Sequence, residues 1–244
     1  GVAVHFSRPR DIPKDVKNIM YCHDLAEDPE NQVLLDNGWK QFDHFVFVTA
    51  WQRDQYIRLF GLPYSKCSVI PNAIEKRYEA EEKNTETIRF IYHTTPHRGL
   101  ELLVPVFDAL SREYDNIHLD VYSSFGIYGW ESRDEPYKEI FKQIEDHPKM
   151  TYHGAVPNDE VLAALEKAHI FLYPNIWKET SCIALIEAIR HFFPQLLIPR
   201  VSSNISVSGW IRHFFYHGQF FIDLIFIQIT QGNHFCPRQT CKKL

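Results

Sequence analysis

Two glutamates in the last third of the sequence are spaced so that one polar ligand could contact both. Seven residues separate Glu179 from Glu187. A helix predicted over 180–189 would place Glu179 in the loop before it and Glu187 about two turns inside it. At about 1.5 Å per residue the separation is roughly 12 Å, which is similar to the reach from a sugar across a diphosphate to a ribose.

The predicted helix start between these glutamates could bind phosphate. A helix that begins at Thr180 leaves the backbone N–H groups of Ser181, Cys182 and Ile183 without intrahelical acceptors, and such groups bind anions. Glu187 lies among apolar residues, where a carboxylate is costly unless it is hydrogen-bonded. In the competing interpretation, Glu179 is an ordinary acid at a helix start and Glu187 is a surface residue of an amphipathic helix. If the two glutamates are considered without their neighbours, this interpretation is favoured.

Strands and helices that alternate along the chain would position these residues. Strands are predicted at 18–22, 43–49, 68–71, 88–92, 117–122, 150–152 and 169–173. Helices are predicted to begin at Trp51, Gly99, Pro136 and Thr180, and one more is predicted with Asn158 as its N-cap. This order predicts parallel sheets, with ligand outside the carboxyl ends of the strands.

Composition limits the remaining classes of function. A net charge of −5 without a Lys/Arg-rich run argues against nucleic acid as a partner. Five cysteines without paired spacing favour reduced thiols and a cytoplasmic protein. No signal peptide is predicted, and the apolar run 220–229 contains Asp223 and is too short to span a bilayer. Peripheral contact with a membrane stays open.

The stretch that contains both glutamates resembles a motif of a known family. Glu179 and Glu187, after Leu172, Tyr173 and Pro174, look like the Glu-x7-Glu motif of family 4 retaining glycosyltransferases, the glycosyl transferases group 1, which have the GT-B fold. The resemblance implies that Glu179 contacts hydroxyl groups of the donor sugar. It implies that Glu187 binds the ribose diol.

A second stretch, 90–100, resembles the strand, loop and helix of that family in which a basic residue binds the donor diphosphate. Arg98 and Gly99 match the basic residue and the glycine that follows it. Where the family often has a Gly-Arg pair and a lysine, this loop has Thr94, Thr95 and His97. The competing interpretation of Arg98, an ordinary arginine at a helix start, is disfavoured by the helix dipole.

Three weaker matches extend the resemblance. Residues 69–75 look like the family's domain junction, and 152–156 look like the segment whose backbone, here at Gly154 and Val156, lies beside the base. His23 follows a predicted strand where related enzymes place a histidine that orients the sugar or stabilises the leaving group. His23 and Asp24 could equally be a structural pair.

The resemblance implies an α/β protein with two Rossmann-like parallel-sheet domains, of which the first is incomplete. Residues 1–75 are predicted to be a remnant of the N-terminal, acceptor-side domain, and 76–190 the domain that binds the nucleotide sugar. Residues 191–244 depart from the family pattern. They are interpreted either as a divergent tail with an extra strand at 220–229 or as the product of a frame change, which resequencing of the coding DNA would decide.

The implied activity is transfer of a hexose from a UDP-, GDP- or ADP-sugar to a sugar or other hydroxyl acceptor. His23, Arg98 and Glu179 are the candidate catalytic residues. Neither a cofactor nor a metal is expected, because the family uses positive charge instead and no Asp-x-Asp occurs. Two alternatives remain: an epimerase that acts on a nucleotide sugar, and an inactive fragment that binds the donor.

Overall fold

The described part of the chain contains two parallel four-stranded sheets. The computed structural model describes residues 1–74 and 86–192. By their contacts, 1–74 and 177–187 form a first unit, and 86–176 and 188–192 form a second. The predicted fold class, α/β with two Rossmann-like parallel sheets, is confirmed.

The first sheet has the order β1-β2-β3-β4, and all its neighbours are parallel. Its strands are β1 (Val2–Phe6), β2 (Lys17–Cys22), β3 (His44–Phe47) and β4 (Cys67–Val69). Strand β1 was not predicted from the sequence. Its residues alternate between exposed and half-buried at an edge of the sheet, so no buried run and no preceding turn identify it.

Helix α1 (Ala50–Phe60) covers one face of this sheet and is capped at both ends. The Thr49 hydroxyl accepts a hydrogen bond from the Gln52 N–H at 3.1 Å. Gly61 ends the helix in the left-handed conformation, with φ of 67°, as the sequence predicts. Tyr56 of α1 lies in a core that the strands supply, with Met20, Phe45 and Phe47.

The second sheet has the order β7-β6-β5-β8, again with parallel neighbours. Its strands are β5 (Ile88–His93), β6 (Ile117–Tyr122), β7 (Met150–Tyr152) and β8 (Ile170–Phe171). From β5 the chain adds β6 and β7 on one side and then β8 on the other. A ligand of such a sheet is expected at this reversal, outside the carboxyl end of the strand where it occurs.

Helices α2 (Leu100–Glu113), α3 (Lys138–Glu145), α4 (Asn158–Lys167) and α5 (Ile183–Phe192) follow these four strands in turn. Helix α2 buries Leu100, Leu103 and Phe107 against the sheet, as its spacing predicts. The helix continues through Pro105.

The beginnings of helices α1–α5 all differ from the predictions, and those of α1 at Ala50 and α2 at Leu100 differ by one residue each. Asn158 is the first residue of α4, and Pro157, which is extended, is the residue before it, so Asn158 is not the N-cap. Helix α3 begins at Lys138, because Pro136 lies within a preceding 3-10 helix, Glu131–Tyr137. Helix α5 begins at Ile183 and not at Thr180.

The predicted domain limits, 1–75, 76–190 and 191–244, remain predictions. Residues 177–187 belong to the first unit by their contacts, although they fall within the predicted second domain, 76–190. The predicted extra strand at 220–229 lies outside the described residues. Within 1–74 and 86–192, no helix has the length and apolar character needed to cross a membrane.

Candidate functional site

The loop 94–99 joins the carboxyl end of β5 to α2 at the reversal in strand order. Thr95 is 1% exposed, and its carbonyl accepts a hydrogen bond from the Tyr92 hydroxyl at 3.0 Å. The half-buried Arg98 donates to the Thr95 hydroxyl through its guanidinium and to the Thr95 carbonyl through its N–H. The candidate phosphate ligand Arg98 therefore lies in a fixed loop at the predicted edge of the sheet, beside the half-buried Thr94.

Gly99 is required by the packing of this loop. It has a φ of 99°, and a Cβ atom added there would lie 2.0 Å from the Pro174 carbonyl oxygen. No side chain fits at that distance. Gly99 therefore lets the loop pack against the segment that follows β8, and the ligand-binding role that the resemblance implies for it remains a prediction.

A second loop, 123–137, follows the adjacent strand β6 and is held by a carboxylate. Asp134 accepts hydrogen bonds from the Ser124 hydroxyl at 2.5 Å and from the Phe125 N–H at 2.8 Å. The Ser124 hydroxyl also accepts from the Gly126 N–H at 2.7 Å. The bonds to Asp134 hold the start of the loop against a residue near its end.

Two aromatic rings join the loops 94–99 and 123–137. The His97 ring stacks on the buried Phe125 ring, with 5.2 Å between centroids and 13° between planes. Burial, reinforced by the positive charges of Arg98 and Arg133, lowers the pKa of His97 to about 4. His97 is therefore neutral near pH 7, and the two arginines supply positive charge around it.

The low pKa of His97 predicts a pH dependence of stability in the second unit. The unfolded chain takes up a proton near the ordinary pKa of 6.5, whereas the folded chain does so only near 4. The stability that the neutral His97 side chain contributes is therefore fully present above pH 6.5 and is lost as the pH falls towards 4. His97→Phe, which keeps a ring against Phe125, should lose less stability in this window. Urea midpoints of both proteins at pH 7 and 4.5 test this, and equal losses would contradict it.

The third segment at this edge follows β7 and contains the residues predicted to lie beside a base. Gly154 is left-handed, with φ of 68°, and Val156 is half-buried. The Tyr152 hydroxyl donates to the Ser123 carbonyl at 2.8 Å, which attaches this segment to the start of the neighbouring loop. Three adjacent strands thus end in loops at one edge of the second sheet.

His23 and Thr180 lie together in the first unit. The Thr180 hydroxyl donates to the His23 carbonyl at 2.7 Å, and the His23 N–H donates to the Ser7 hydroxyl at 2.8 Å. Burial lowers the pKa of His23, against the opposing effect of Asp24. The neighbouring Lys178 forms an ion pair with Glu27 at 2.6 Å. The segment around Glu179 is therefore held beside the chain that follows β2.

Removal of the Thr180 hydroxyl should destabilise the first unit. Thr180→Val leaves the His23 carbonyl without this donor, and we expect a loss of about 1 kcal/mol in the free energy of unfolding. Thr180→Ser keeps the donor and serves as the control. Urea unfolding checks the difference, and a valine variant as stable as the serine variant would contradict the assigned bond.

The start of α5 corrects the predicted helix geometry. The Cys182 carbonyl accepts from the Ile186 N–H at 3.1 Å, and its sulfur accepts from the Leu185 N–H at 3.4 Å. Cys182 therefore occupies the N-cap position, and Thr180 and Ser181 precede the helix. The roughly 12 Å spacing assumed a helix throughout, so it does not apply. A role of Thr180, Ser181, Cys182 and Ile183 in phosphate binding remains a prediction.

Glu187 is buried within α5, with 8% of its surface exposed. The competing interpretation of a surface glutamate is therefore wrong for this residue. Glu187 lies only a little more than one turn from the helix start, not two.

The candidate residues are distributed over both units. His23, Glu179, Thr180, Ser181, Cys182, Ile183 and Glu187 belong to the first unit, and Thr94, Thr95, Arg98, Gly99, Gly154 and Val156 to the second. Ser124, Arg133 and Asp134 were not predicted from the sequence as site residues. The available signal was the polar loop that follows the strand predicted at 117–122, since ligands are expected outside the carboxyl ends of such strands. In the described part of the chain, no group of three or more His, Cys, Asp or Glu residues could hold a metal ion.

Several solved structures are similar in fold to this chain. The chain resembles a variant of S. aureus TarM in complex with fondaparinux, alpha-GlcNAc-glycerol and UDP (identity 16%, TM-score 0.55, 72% of this chain and 35% of that chain). It also resembles the pneumococcal O-GlcNAc transferase GtfA in complex with UDP and GlcNAc (identity 11%, TM-score 0.54, 74% of this chain and 37% of that chain). A third similar structure is Anabaena HepE in complex with UDP and glucose (identity 14%, TM-score 0.51, 71% of this chain and 50% of that chain).

These likenesses show a shared fold, and the chain spans about a third to a half of the length of those proteins. A search of curated proteins returns no significant match. The family model described as glycosyl transferases group 1 matches residues 72–206, which is more than half of the 244 residues. The chain therefore belongs to the glycosyl transferases group 1 family.

Proposed function

We propose that this chain provides the donor-binding part of a retaining glycosyltransferase, which moves a hexose from a nucleoside diphosphate sugar to a sugar or other hydroxyl acceptor. The observation that carries the proposal is the edge of the second sheet, where Arg98 lies in a fixed loop at the reversal in strand order. Membership of the glycosyl transferases group 1 family gives the reaction class.

In the proposed reaction, Arg98 stabilises the diphosphate as it leaves. Negative charge develops on the leaving group in the transition state, and a positioned guanidinium stabilises that charge more than it stabilises the bound substrate. Two N–H groups of arginine can contact phosphate oxygens together. No metal ion is required in this proposal.

The glutamates and His23 are assigned to the sugar and the ribose. Glu179 would accept hydrogen bonds from hydroxyl groups of the donor sugar, and Glu187 from the ribose diol. The burial of Glu187 supports this assignment, because a hydrogen bond to a carboxylate is electrostatically stronger in the protein interior than in water. His23 has a pKa lowered by burial, so its neutral ring would orient the sugar by hydrogen bonding.

UDP is the first nucleotide to test, since TarM, GtfA and HepE were each crystallised with it. A ligand that binds only the folded protein raises its melting temperature. We expect UDP to do so for the parent chain, with GDP and ADP as the alternatives. Glu187→Gln, which keeps the size of the side chain, should lose the shift. Glu145→Gln at the exposed end of α3 is the matched control.

The outcome separates the proposed enzyme from its alternatives. A folded parent that none of the three nucleotides stabilises would overturn the proposal. Release of UDP from a UDP-hexose only when a sugar acceptor is present would support transfer. Conversion of the UDP-hexose into its epimer would identify an epimerase, and binding without turnover a donor-binding module.

A further inference from the structure

The donor that we propose carries more negative charge than Arg98 alone can balance. Each phosphate of a nucleoside diphosphate is ionised near neutral pH, and every loss of hydration must be compensated by contacts in the site. The loop 94–99 contains no second cation that stays charged, because the pKa of His97 is about 4. A second cation must therefore come from another segment.

Arg133 lies in the loop that packs on 94–99. This loop follows β6, which is the parallel neighbour of β5, so both loops leave the same edge of the sheet. The stacked rings of His97 and Phe125 join them. The charges of Arg98 and Arg133 both act on His97, which places Arg133 close to the candidate phosphate loop.

The position of Arg133 is supported by its own loop. Its guanidinium carbon lies 4.5 Å from the centroid of the Trp130 ring, a distance typical of a cation–π contact. Its N–H donates to the Trp130 carbonyl at 2.9 Å. The bonds of Asp134 to Ser124 and Phe125 fix the loop one residue further on.

The charge of Arg133 is not neutralised by a carboxylate in the described part of the chain. The adjacent carboxylate, Asp134, accepts from Ser124 and Phe125 instead. Arg133 is also exposed, so a ligand can reach it. The charge of Arg133 would attract a bound anion.

We propose that Arg133 is a second cation of the donor site, which binds the diphosphate of the nucleotide together with Arg98 and is positioned by the Trp130 ring. This inference rests on the proposed function. The guanidinium keeps one face on the ring while its N–H groups remain available to phosphate oxygens.

The test is isothermal titration of UDP into the parent chain and its variants. Arg133→Gln is expected to bind UDP at least about tenfold more weakly than the parent, which is the effect of losing one charge-assisted contact. Arg112→Gln is the matched control. Arg112 is an exposed arginine of α2 that is paired with Asp108, and its loss should change affinity less than twofold.

Two further variants separate charge from structure. Arg133→Lys keeps the charge and should recover part of the affinity, whereas equal affinities of the lysine and glutamine variants would overturn the inference. Trp130→Leu removes the ring and should weaken binding a few-fold. Melting temperatures without ligand establish that each variant is folded.

The outcomes for Arg98 and Arg133 are distinguishable. If Arg98→Gln weakens UDP binding and Arg133→Gln does not, the inference about Arg133 is overturned and the proposed function stands. If the folded parent binds none of UDP, GDP and ADP, the proposed function is overturned, and the second cation with it.

Discussion

Arg98→Gln is expected to weaken UDP binding by about 10- to 100-fold. A hydrogen bond to a charged group contributes about 1.5–3 kcal/mol, and glutamine supplies neither the charge nor the paired N–H geometry. The guanidinium also bonds to Thr95, so the variant changes the loop as well as the charge. The affinity should therefore be measured by titration calorimetry next to the melting temperature of the ligand-free protein.

Two controls make the Arg98 result specific. Thr95→Val removes the hydroxyl that accepts from Arg98 but keeps the arginine, so it should lose less affinity than Arg98→Gln. Arg112→Gln changes the net charge equally at a different place in the same unit. An Arg98→Gln variant that binds UDP as tightly as the parent would remove Arg98 from the donor site.

Gly99→Ala is expected to destabilise the second unit by about 3 kcal/mol. The positive φ of 99° costs an alanine about 1–2 kcal/mol. In addition, the new methyl group would lie 2.0 Å from the Pro174 carbonyl oxygen, so either the loop or the segment after β8 must move. Overpacking of this kind costs about 1–3 kcal/mol.

Gly129→Ala is the matched control for Gly99→Ala. Gly129 lies in the same unit and also has a positive φ, 69°, but nothing lies within 4 Å of an added Cβ atom. Gly129→Ala should therefore lower the free energy of unfolding only by the cost of the positive φ, about 1–2 kcal/mol. Hydrogen exchange of the backbone amides of β5 and β6 in increasing urea measures the free energy of unfolding of the second unit in both variants. Equal losses would show that contact with Pro174 does not constrain the loop.

The sequence predicts most of the strands and helices because the periodicity of burial is local. Strand β6 and strand β7 were predicted at their observed bounds, and Gly61 ends α1 as expected. Elements without a clear local signal were missed or displaced. Strand β1 is exposed at an edge, and α5 begins later than predicted, since Thr180 hydrogen-bonds to His23 outside the helix.

Sequence alone determined the fold class and the family resemblance, and it identified Arg98, Glu179 and Glu187 as candidate site residues. These depend on residue type and on spacing along the chain. Only the tertiary structure decided that Gly99 packs on Pro174, that Glu187 is buried and that the loop after β6 brings Arg133 close to His97. Each of these facts depends on contacts between segments far apart in sequence, and local propensities do not encode such contacts.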